Sequence, residues 1–202
     1  MKSIKWMFAD ICVIHLNFGR RRINDMDQVY RSPYEAYPFL SDSSDDLRCD
    51  FELLTDEISS KTGLLLAHMK NRINGELYQE VMWVCELVYH INPSLRTFLS
   101  ITVEECNRLK TCVDRLQMEV KDRCNNYVLP IGGSLACEAH VLRVQAKKLV
   151  RMLYRYMEKG YEVPTLLLDV TNLLSGYYFS LALKLNALEN VDEIPFVSRN
   201  YK

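Results

Sequence analysis

The sequence has 202 residues, of which 49% are hydrophobic and 25% are charged, and this composition is typical of a folded globular domain rather than a disordered chain. The 25 Lys and Arg residues against 26 Asp and Glu residues leave a net charge of −1, so no overall field attracts the chain to nucleic acid or to an anionic membrane. Only seven Gly and six Pro residues interrupt the sequence, which favours long helices.

Residues 1–47 show no sustained helical pattern and are expected to form an irregular N-terminal segment. They contain the basic triplet Arg20–Arg22 and the polar run Ser41–Asp46. Asp10 and His15 interrupt the apolar start of the chain and no small-residue cleavage site follows, so we do not interpret it as a signal peptide. Seven scattered cysteines without a Cys-x-x-Cys pair, and the lack of a long uncharged apolar run, favour a cytoplasmic protein without a membrane span.

Hydrophobic residues recur at helical spacing in five segments between about residues 48 and 190. The breaks between these segments are short. Five long helices with little strand signal predict an all-α five-helix bundle, followed by a C-terminal tail over 191–202. The predicted helices cover about 50–70, about 76–91, a segment beginning after Thr102, about 135–158 and about 164–189.

Several helix ends carry recognisable signals. Thr102 and Glu105 form a Thr-x-x-Glu capping box at the start of the third helix. Ser134 is a natural N-cap for the fourth helix, and Gly160 is expected to end it.

The fourth predicted helix combines an apolar seam with a basic face. Apolar residues alternate at four- and three-residue steps, which is typical of a helix in a bundle. Arg143, Lys147, Arg151 and Arg155 recur at four-residue steps, with Lys148 beside them. Such a row is either a solvated face paired with carboxylates of a neighbour or a phosphate-binding site. The glycine pair before the helix favours the second interpretation, because a backbone without Cβ atoms lets a ligand approach closely.

Other kinds of site find little support. The sequence has no P-loop motif and no nucleophile, histidine and acid at a spacing typical of a hydrolase. The four histidines do not fall beside cysteine pairs at zinc spacing. His140, next to the apolar seam, is expected to be a core histidine with its hydrogen bonds satisfied.

Three stretches in chain order carry a recognisable family pattern. The first combines an arginine with an Asp-Glu pair, the second a proline and two glycines with the basic row, and the third a central and a final asparagine. They are Arg48–Phe51 with Thr55–Ser60 and Gly63, Tyr127–Ser134 with His140–Arg143 and Lys147–Arg151, and Thr171–Gly176 with Leu181–Asn186.

Over about residues 45–190, these stretches resemble the ATP:cob(I)alamin (corrinoid) adenosyltransferases of the propanediol-utilisation type. The resemblance implies a five-helix bundle that assembles as a homotrimer, with ATP and corrinoid meeting at subunit interfaces. It implies the transfer of a 5′-deoxyadenosyl group from ATP to cob(I)alamin, with Mg²⁺ as a cofactor. A cob(II)alamin reductase and an adenosylcobalamin-dependent enzyme are the expected partners.

The resemblance also implies roles for particular residues. Tyr127 stands where the family has a phenylalanine under the lower face of the corrin ring. Asp56 stands where an aspartate pairs with the arginine found here as Arg143. The positions that contact the nucleotide in the family correspond to Lys147, Lys148, Arg151 and Asn172.

Departures from the family pattern leave two alternatives open. The family's N-terminal phosphate-loop signature has no recognisable match in residues 1–47, two family arginines are Lys147 and Lys148, and a family aspartate falls on Gly176. The triplet Arg20–Arg22 is either a replacement for the missing loop or a solvated basic arm. The chain is thus an active adenosyltransferase, or a non-catalytic cobalamin- or nucleotide-binding relative that acts as a sensor or scaffold. A helical bundle that binds neither ligand is the third possibility.

Overall fold

The computed structural model describes residues 30–73, 75–124 and 127–200. The chain divides into two units, Met1–Pro38 and Phe39–Lys202. The described part of the first unit forms turns, in which the Glu35 amide donates to the Ser32 carbonyl at 3.3 Å. The basic triplet Arg20–Arg22, interpreted above either as a replacement for the phosphate loop or as a solvated arm, lies outside the described residues.

The second unit is built from α-helices, and the predicted all-α architecture is confirmed. Short 3-10 turns, Asn92–Leu95 and Lys121–Arg123, follow the second and third helices. Among the described residues the long helices number five, as predicted. They are α1 (Leu47–Met69), α2 (Gly75–Ile91), α3 (Val103–Glu119), α4 (Ser134–Glu158) and α5 (Thr165–Leu188).

The helices share one apolar core. α1 packs against both α2 and α4, α5 packs against both α4 and α3, and the most extensive contact joins α4 to α5. The apolar seam predicted on α4 faces this core, with each member buried. These seam residues are Leu135, Ala139, Leu142, Ala146, Leu149, Leu153 and Tyr156.

Local signals explain where α1, α3 and α4 begin or end. Asp46 caps α1 by accepting a hydrogen bond from the Arg48 amide at 3.1 Å. The predicted capping box of α3 is present, because the Glu105 amide donates to Thr102 Oγ1 and the Thr102 amide donates to Glu105 Oε2. Gly160 has a φ of 88° directly after α4, a conformation in which a side chain would be strained.

The predicted N-cap of α4 is wrong. Gly133 is the N-cap, Ser134 is the first helical residue, and no side chain caps the helix. The Gly133 amide instead donates to Asn186 Oδ1 of α5 at 3.0 Å. A tertiary contact therefore satisfies one amide at this helix end, whereas a serine cap would accept from an amide of the first helical turn.

A buried ion pair fastens the polar run Ser41–Asp46 to the bundle. Arg96 donates to both carboxylate oxygens of Glu52, at 2.6 and 2.9 Å, and to Asp42 at 3.2 Å. Its guanidinium carbon lies 3.5 Å from the ring centroid of Phe39. This part of the predicted irregular segment has a specific contact with the start of α1, because the nearly buried Glu52 needs a compensating charge.

Within the described part of the chain, α5 is the one helix long and apolar enough to cross a membrane by length and composition. Asp169 and Lys184 bracket its uncharged stretch. The bundle buries 56% of the apolar window, and Tyr177, Tyr178 and Leu181 are fully enclosed. Packing against α3 and α4 accounts for its apolar character.

Candidate functional site

A cavity of about 830 Å³ opens beside Tyr127, and we call it the Tyr127 pocket. It forms where the loop before α4 meets α4, α5 and the C-terminal tail. Arg143 and Lys147 of α4 line it, together with Phe179 of α5 and Phe196 of the tail. Cationic and aromatic side chains from distant parts of the chain therefore meet at one cavity.

Tyr127 presents its ring to this pocket from a fixed backbone. Its carbonyl accepts a hydrogen bond from the Phe196 amide at 2.7 Å, and the next residue, Val128, forms an antiparallel bridge with Pro195. The Tyr127 residue is nevertheless 80% exposed. A large exposed aromatic ring on an anchored backbone is suited to stacking against a planar ligand.

Arg143 is a partly buried arginine that has no compensating acid among the described residues. Its Nε atom is buried and has no hydrogen-bond partner, and burial lowers the pKa of its guanidinium. The guanidinium carbon lies 5.7 Å from the ring centroid of Phe179. Because burying an unpaired cationic group is unfavourable, this position is suited to an anionic group from a ligand or another copy of the chain.

Asp56 and Arg143 are not brought together within one copy. Asp56, on α1, accepts a hydrogen bond from the Tyr89 hydroxyl of α2 at 3.3 Å. Arg143 lies on α4 beside α5. Because Asp56 is on the side of α1 that faces α2, no hydrogen bond or ion pair joins the two residues within the described chain. Their pairing stays a prediction that requires two copies.

The rest of the basic row lines a second cavity, of about 620 Å³, between α1 and α4, and we call it the α1–α4 groove. Asp50 and Glu57 of α1 contribute acidic side chains to it. Lys147 lines both cavities, so the groove and the Tyr127 pocket adjoin. The basic residues of the groove are Lys147, Lys148, Arg151 and Arg155.

The cations of α4 differ from most arginines elsewhere in the bundle. Arg96, Arg115 and Arg123 each form ion pairs at 2.7 Å or less. Within the described residues, none of the five cations between positions 143 and 155 of α4 forms one. A row of like charges without ion-pair partners on one face is unfavourable for the isolated chain and favourable for binding a polyanion.

Asn172 lies apart from both cavities. It is exposed on α5, and its Nδ2 atom donates to the Leu168 carbonyl of the same helix at 2.8 Å. It belongs to the lining of neither the Tyr127 pocket nor the α1–α4 groove. Its contact with a nucleotide stays a prediction.

The glycine pair before α4 has a different role from the one predicted. A Cβ atom at Gly132 would overlap the Asn186 side chain, and one at Gly133 would overlap the Glu189 carboxylate. The end of α5 thus occupies the space in which the sequence predicted a ligand. The interpretation of these glycines as a ligand cradle is wrong, because the close approach they allow is made by the chain itself.

His140 is buried as predicted, but one of its two ring nitrogens has no hydrogen-bond partner among the described residues. It is 4% exposed, and its Nδ1 atom has no partner. Burial, and to a lesser extent the Arg143 charge, lowers the pKa of the imidazole to about 4. Its ring centroid lies 6.3 Å from that of Phe179, so a neutral histidine stands behind the pocket wall.

Sequence reasoning missed the aromatic wall of the pocket and the residues that hold it. Phe179 lies on α5 between two stretches that carry the family pattern, and Phe196 lies in the tail beyond them. Neither has a local motif that predicts a binding role.

Among the described residues, no group of three or more His, Cys, Asp or Glu side chains is placed to hold a metal ion.

Comparisons with known proteins agree on one family. The family model described as Cobalamin adenosyltransferase matches residues 43–185. The corrinoid adenosyltransferase of Bacillus subtilis (strain 168) is 25% identical over 158 residues, which cover 75% of this chain and 81% of that protein.

Two solved structures of the PduO-type ATP:corrinoid adenosyltransferase from Lactobacillus reuteri share the fold. A phenylalanine-to-alanine variant complexed with cobalamin and ATP is 20% identical, with a TM-score of 0.67, and the match covers 76% of this chain and 87% of that one. An arginine-to-lysine variant complexed with ATP is 22% identical, with a TM-score of 0.64 and coverage of 75% and 88%.

Proposed function

The chain belongs to the cobalamin adenosyltransferase family, and from this membership we propose that it transfers the 5′-deoxyadenosyl group of ATP to cob(I)alamin. The reduced cobalt attacks the 5′ carbon of ATP. A cobalt–carbon bond forms, the bond from that carbon to oxygen breaks, and its electron pair leaves with triphosphate. The products are adenosylcobalamin and triphosphate.

The row of α4 cations without ion-pair partners among the described residues is the observation that carries this proposal. Triphosphate develops negative charge as it leaves, and fixed cations stabilise that charge without reorganising. Arg143 and Lys147 extend the basic row into the Tyr127 pocket, so a nucleotide along the α1–α4 groove would present its 5′ carbon near the aromatic residues. Lys147 and Lys148 supply charge but not the two-pronged hydrogen bonding of arginine.

The aromatic side of the Tyr127 pocket suits the corrinoid. Phe179, Phe196 and Val197 make this side apolar, and Tyr127 adds an exposed ring. An apolar surface against the lower face of the macrocycle disfavours an axial ligand on cobalt, which assists reduction to the nucleophilic state. The Tyr127 hydroxyl makes this surface less apolar than a phenylalanine would.

The proposed assembly is a homotrimer in which Asp56 of one copy pairs with Arg143 of the next. This arrangement would satisfy the Arg143 guanidinium, which has no acidic partner within the described part of its own chain. The described residues offer no cluster for a metal ion, so Mg²⁺ would arrive bound to the phosphates of ATP.

A cytoplasmic location follows from this chemistry, with a cob(II)alamin reductase upstream and an adenosylcobalamin-dependent enzyme downstream. The reaction needs a strongly reduced cobalt and yields a cofactor that another enzyme must use. The six cysteines among the described residues are free thiols, as a reducing compartment would leave them.

One observation favours a second candidate, a non-catalytic relative that binds cobalamin or a nucleotide. The family aspartate that falls on Gly176 is absent from the Tyr127 pocket, and a Cβ there would make only ordinary contact with Val113. Packing therefore does not require this glycine, and an acidic group has been lost where a side chain would fit.

The experiment that separates these functions supplies the full chain with ATP, Mg²⁺ and chemically reduced cobalamin. We expect the absorption spectrum of adenosylcobalamin and release of triphosphate. Lys147→Ala should raise the KM for ATP by about tenfold, whereas Lys121→Ala, which changes an exposed lysine outside both cavities, should leave it unchanged.

Two outcomes would contradict the proposed activity. Binding of ATP or cobalamin without a cobalt–carbon product would identify the non-catalytic relative. Titration calorimetry that detects neither ligand would leave only the structural bundle.

A further inference from the structure

The described part of the C-terminal tail, residues 191–200, forms part of the wall of the Tyr127 pocket. Phe196, Val197 and Ser198 line the pocket beside Tyr127. This tail lies beyond residue 185, where the family match ends. The chain thus builds one wall of its pocket from a segment that the family pattern does not describe.

Backbone pairing alone holds this wall weakly. The Leu129 amide donates to the Ile194 carbonyl at 2.9 Å, and the Phe196 amide donates to the Tyr127 carbonyl at 2.7 Å. An isolated antiparallel pair this short is marginal in water. Other contacts must therefore fix the tail against the loop that carries Tyr127.

Arg123 supplies these contacts. Its Nη1 atom donates to the Val191 carbonyl at 2.8 Å and to Glu193 Oε2 at 2.7 Å. The other carboxylate oxygen of Glu193 lies 3.4 Å from the Nδ2 atom of Asn186, which is itself fully buried. Glu193 is only 9% exposed, so removing the guanidinium would leave a nearly buried carboxylate without its cation.

The position of Arg123 in the chain links this ion pair to the site. It ends the 3-10 turn Lys121–Arg123 and precedes Tyr127 by only four residues. The same arginine therefore anchors the tail and the start of the loop that carries the exposed ring. Arg123 does not line the pocket and acts through Glu193.

We infer that Arg123 is a positioning residue for the corrinoid: through Glu193 it holds Phe196 and Val197 in place as the apolar wall beside Tyr127. This inference rests on the proposed function, because it takes the Tyr127 pocket as the corrinoid site. The inference predicts an effect on corrinoid binding but not on ATP binding. Loss of the ion pair weakens corrinoid binding, while the cations that meet ATP lie on α4 and are unaffected.

The test compares Arg123→Ala and Arg123→Lys with wild type in the full chain. For Arg123→Ala we expect the KM for cob(I)alamin to rise about tenfold and the KM for ATP to stay within about twofold. Arg123→Lys should recover most of the loss, because a lysine retains the charge opposite Glu193. Equilibrium titration with cob(II)alamin, followed by absorbance, should show the same order of affinity.

Arg115→Ala is the matched control. Arg115 also pairs with two partners, Glu80 and Glu119, but it lies away from the Tyr127 pocket. This variant should leave both KM values within about twofold of wild type, because the loss of an ion pair far from the pocket should not change corrinoid binding. Glu193→Gln breaks the same charge pair from the other side and serves if Arg123→Ala does not fold.

The outcomes separate failure of the inference from failure of the proposed function. If wild type makes no adenosylcobalamin and binds no corrinoid, the proposed function fails, and the inference fails with it. If wild type is active and the corrinoid KM is unchanged in Arg123→Ala and Glu193→Gln, the inference alone is overturned. An equal rise in both KM values would also overturn it, because that indicates a general structural role.

Discussion

His140 makes the stability of the bundle depend on pH. Burial, with a smaller contribution from Arg143, lowers the pKa of its imidazole from 6.5 to about 4. The unfolded chain therefore binds a proton at His140 as the pH falls below about 6.5, whereas the folded chain does so only near pH 4. Folding stability is fully present above this window and is lost as the pH falls through it.

We expect the free energy of unfolding to lose about 2–3 kcal/mol from this group between about pH 7 and pH 4. Urea titrations at a series of pH values would measure it as the difference between wild type and His140→Leu, which cannot take up the proton. Equal slopes in wild type and His140→Leu would contradict this prediction.

Tyr127 is expected to affect the rate of adenosylcobalamin formation. Its exposed ring contributes apolar surface, and its hydroxyl adds a polar group to the same wall. Under the proposed function, Tyr127→Phe should match or exceed the wild-type rate of adenosylcobalamin formation, and Tyr127→Ala should lower it by about tenfold or more. Rates at saturating ATP would measure this effect. A Tyr127→Phe variant as slow as Tyr127→Ala would show that the hydroxyl, and not the ring, is needed.

At the scale of the elements, helix ends show which contacts can be predicted from the sequence. Contacts between near neighbours can be predicted, and contacts between distant residues cannot. The capping box of Thr102 and Glu105 joins atoms three residues apart, so the sequence contains the whole interaction. At the start of α4, the decisive partner is Asn186, 53 positions further along the chain. The local rule therefore predicted Ser134 as the cap, whereas the N-cap lies one residue earlier, at Gly133, whose amide is bound by Asn186.

Burial, rather than residue type, should decide how much each helix position contributes to stability. Met69 ends α1 with no exposed surface and belongs to the core, whereas Met118 on α3 is 68% exposed. We expect Met69→Ala to destabilise the fold by about 2–5 kcal/mol, since it leaves a cavity, and Met118→Ala by less than about 0.5 kcal/mol. Urea denaturation of the two matched variants measures this difference, and similar values for both would contradict it.

At the scale of the molecule, distant motifs meet because the helices pack. Tyr127, Arg143 and Lys147, which the resemblance selected, line one cavity together. The roles of Phe196 and Arg123 could not be predicted from the sequence, because they depend on contacts with the tail. One such contact joins Arg123 and Glu193, which are 70 positions apart. Periodicity predicts which residues are buried, but it does not indicate which exposed segments fold back on each other.

The location of Asp56 makes a prediction about assembly. Asp56 faces α2 and Arg143 lies beside α5, so one copy does not join them. In the proposed trimer each site takes Asp56 from one copy and Arg143 from the next. Asp56→Ala and Arg143→Ala should therefore each be inactive alone, and assemblies that mix the two should regain activity.

Coexpression with two different affinity tags, followed by purification on both, would isolate the mixed trimers. A ring with two copies of one variant and one of the other contains one interface in three at which both native residues meet. We therefore expect about one third of the wild-type rate per trimer, against almost none for doubly tagged Asp56→Ala trimers. If the two residues acted within a single copy, no mixed trimer would contain an intact site, and inactivity of the mixed assemblies would contradict the proposed pairing.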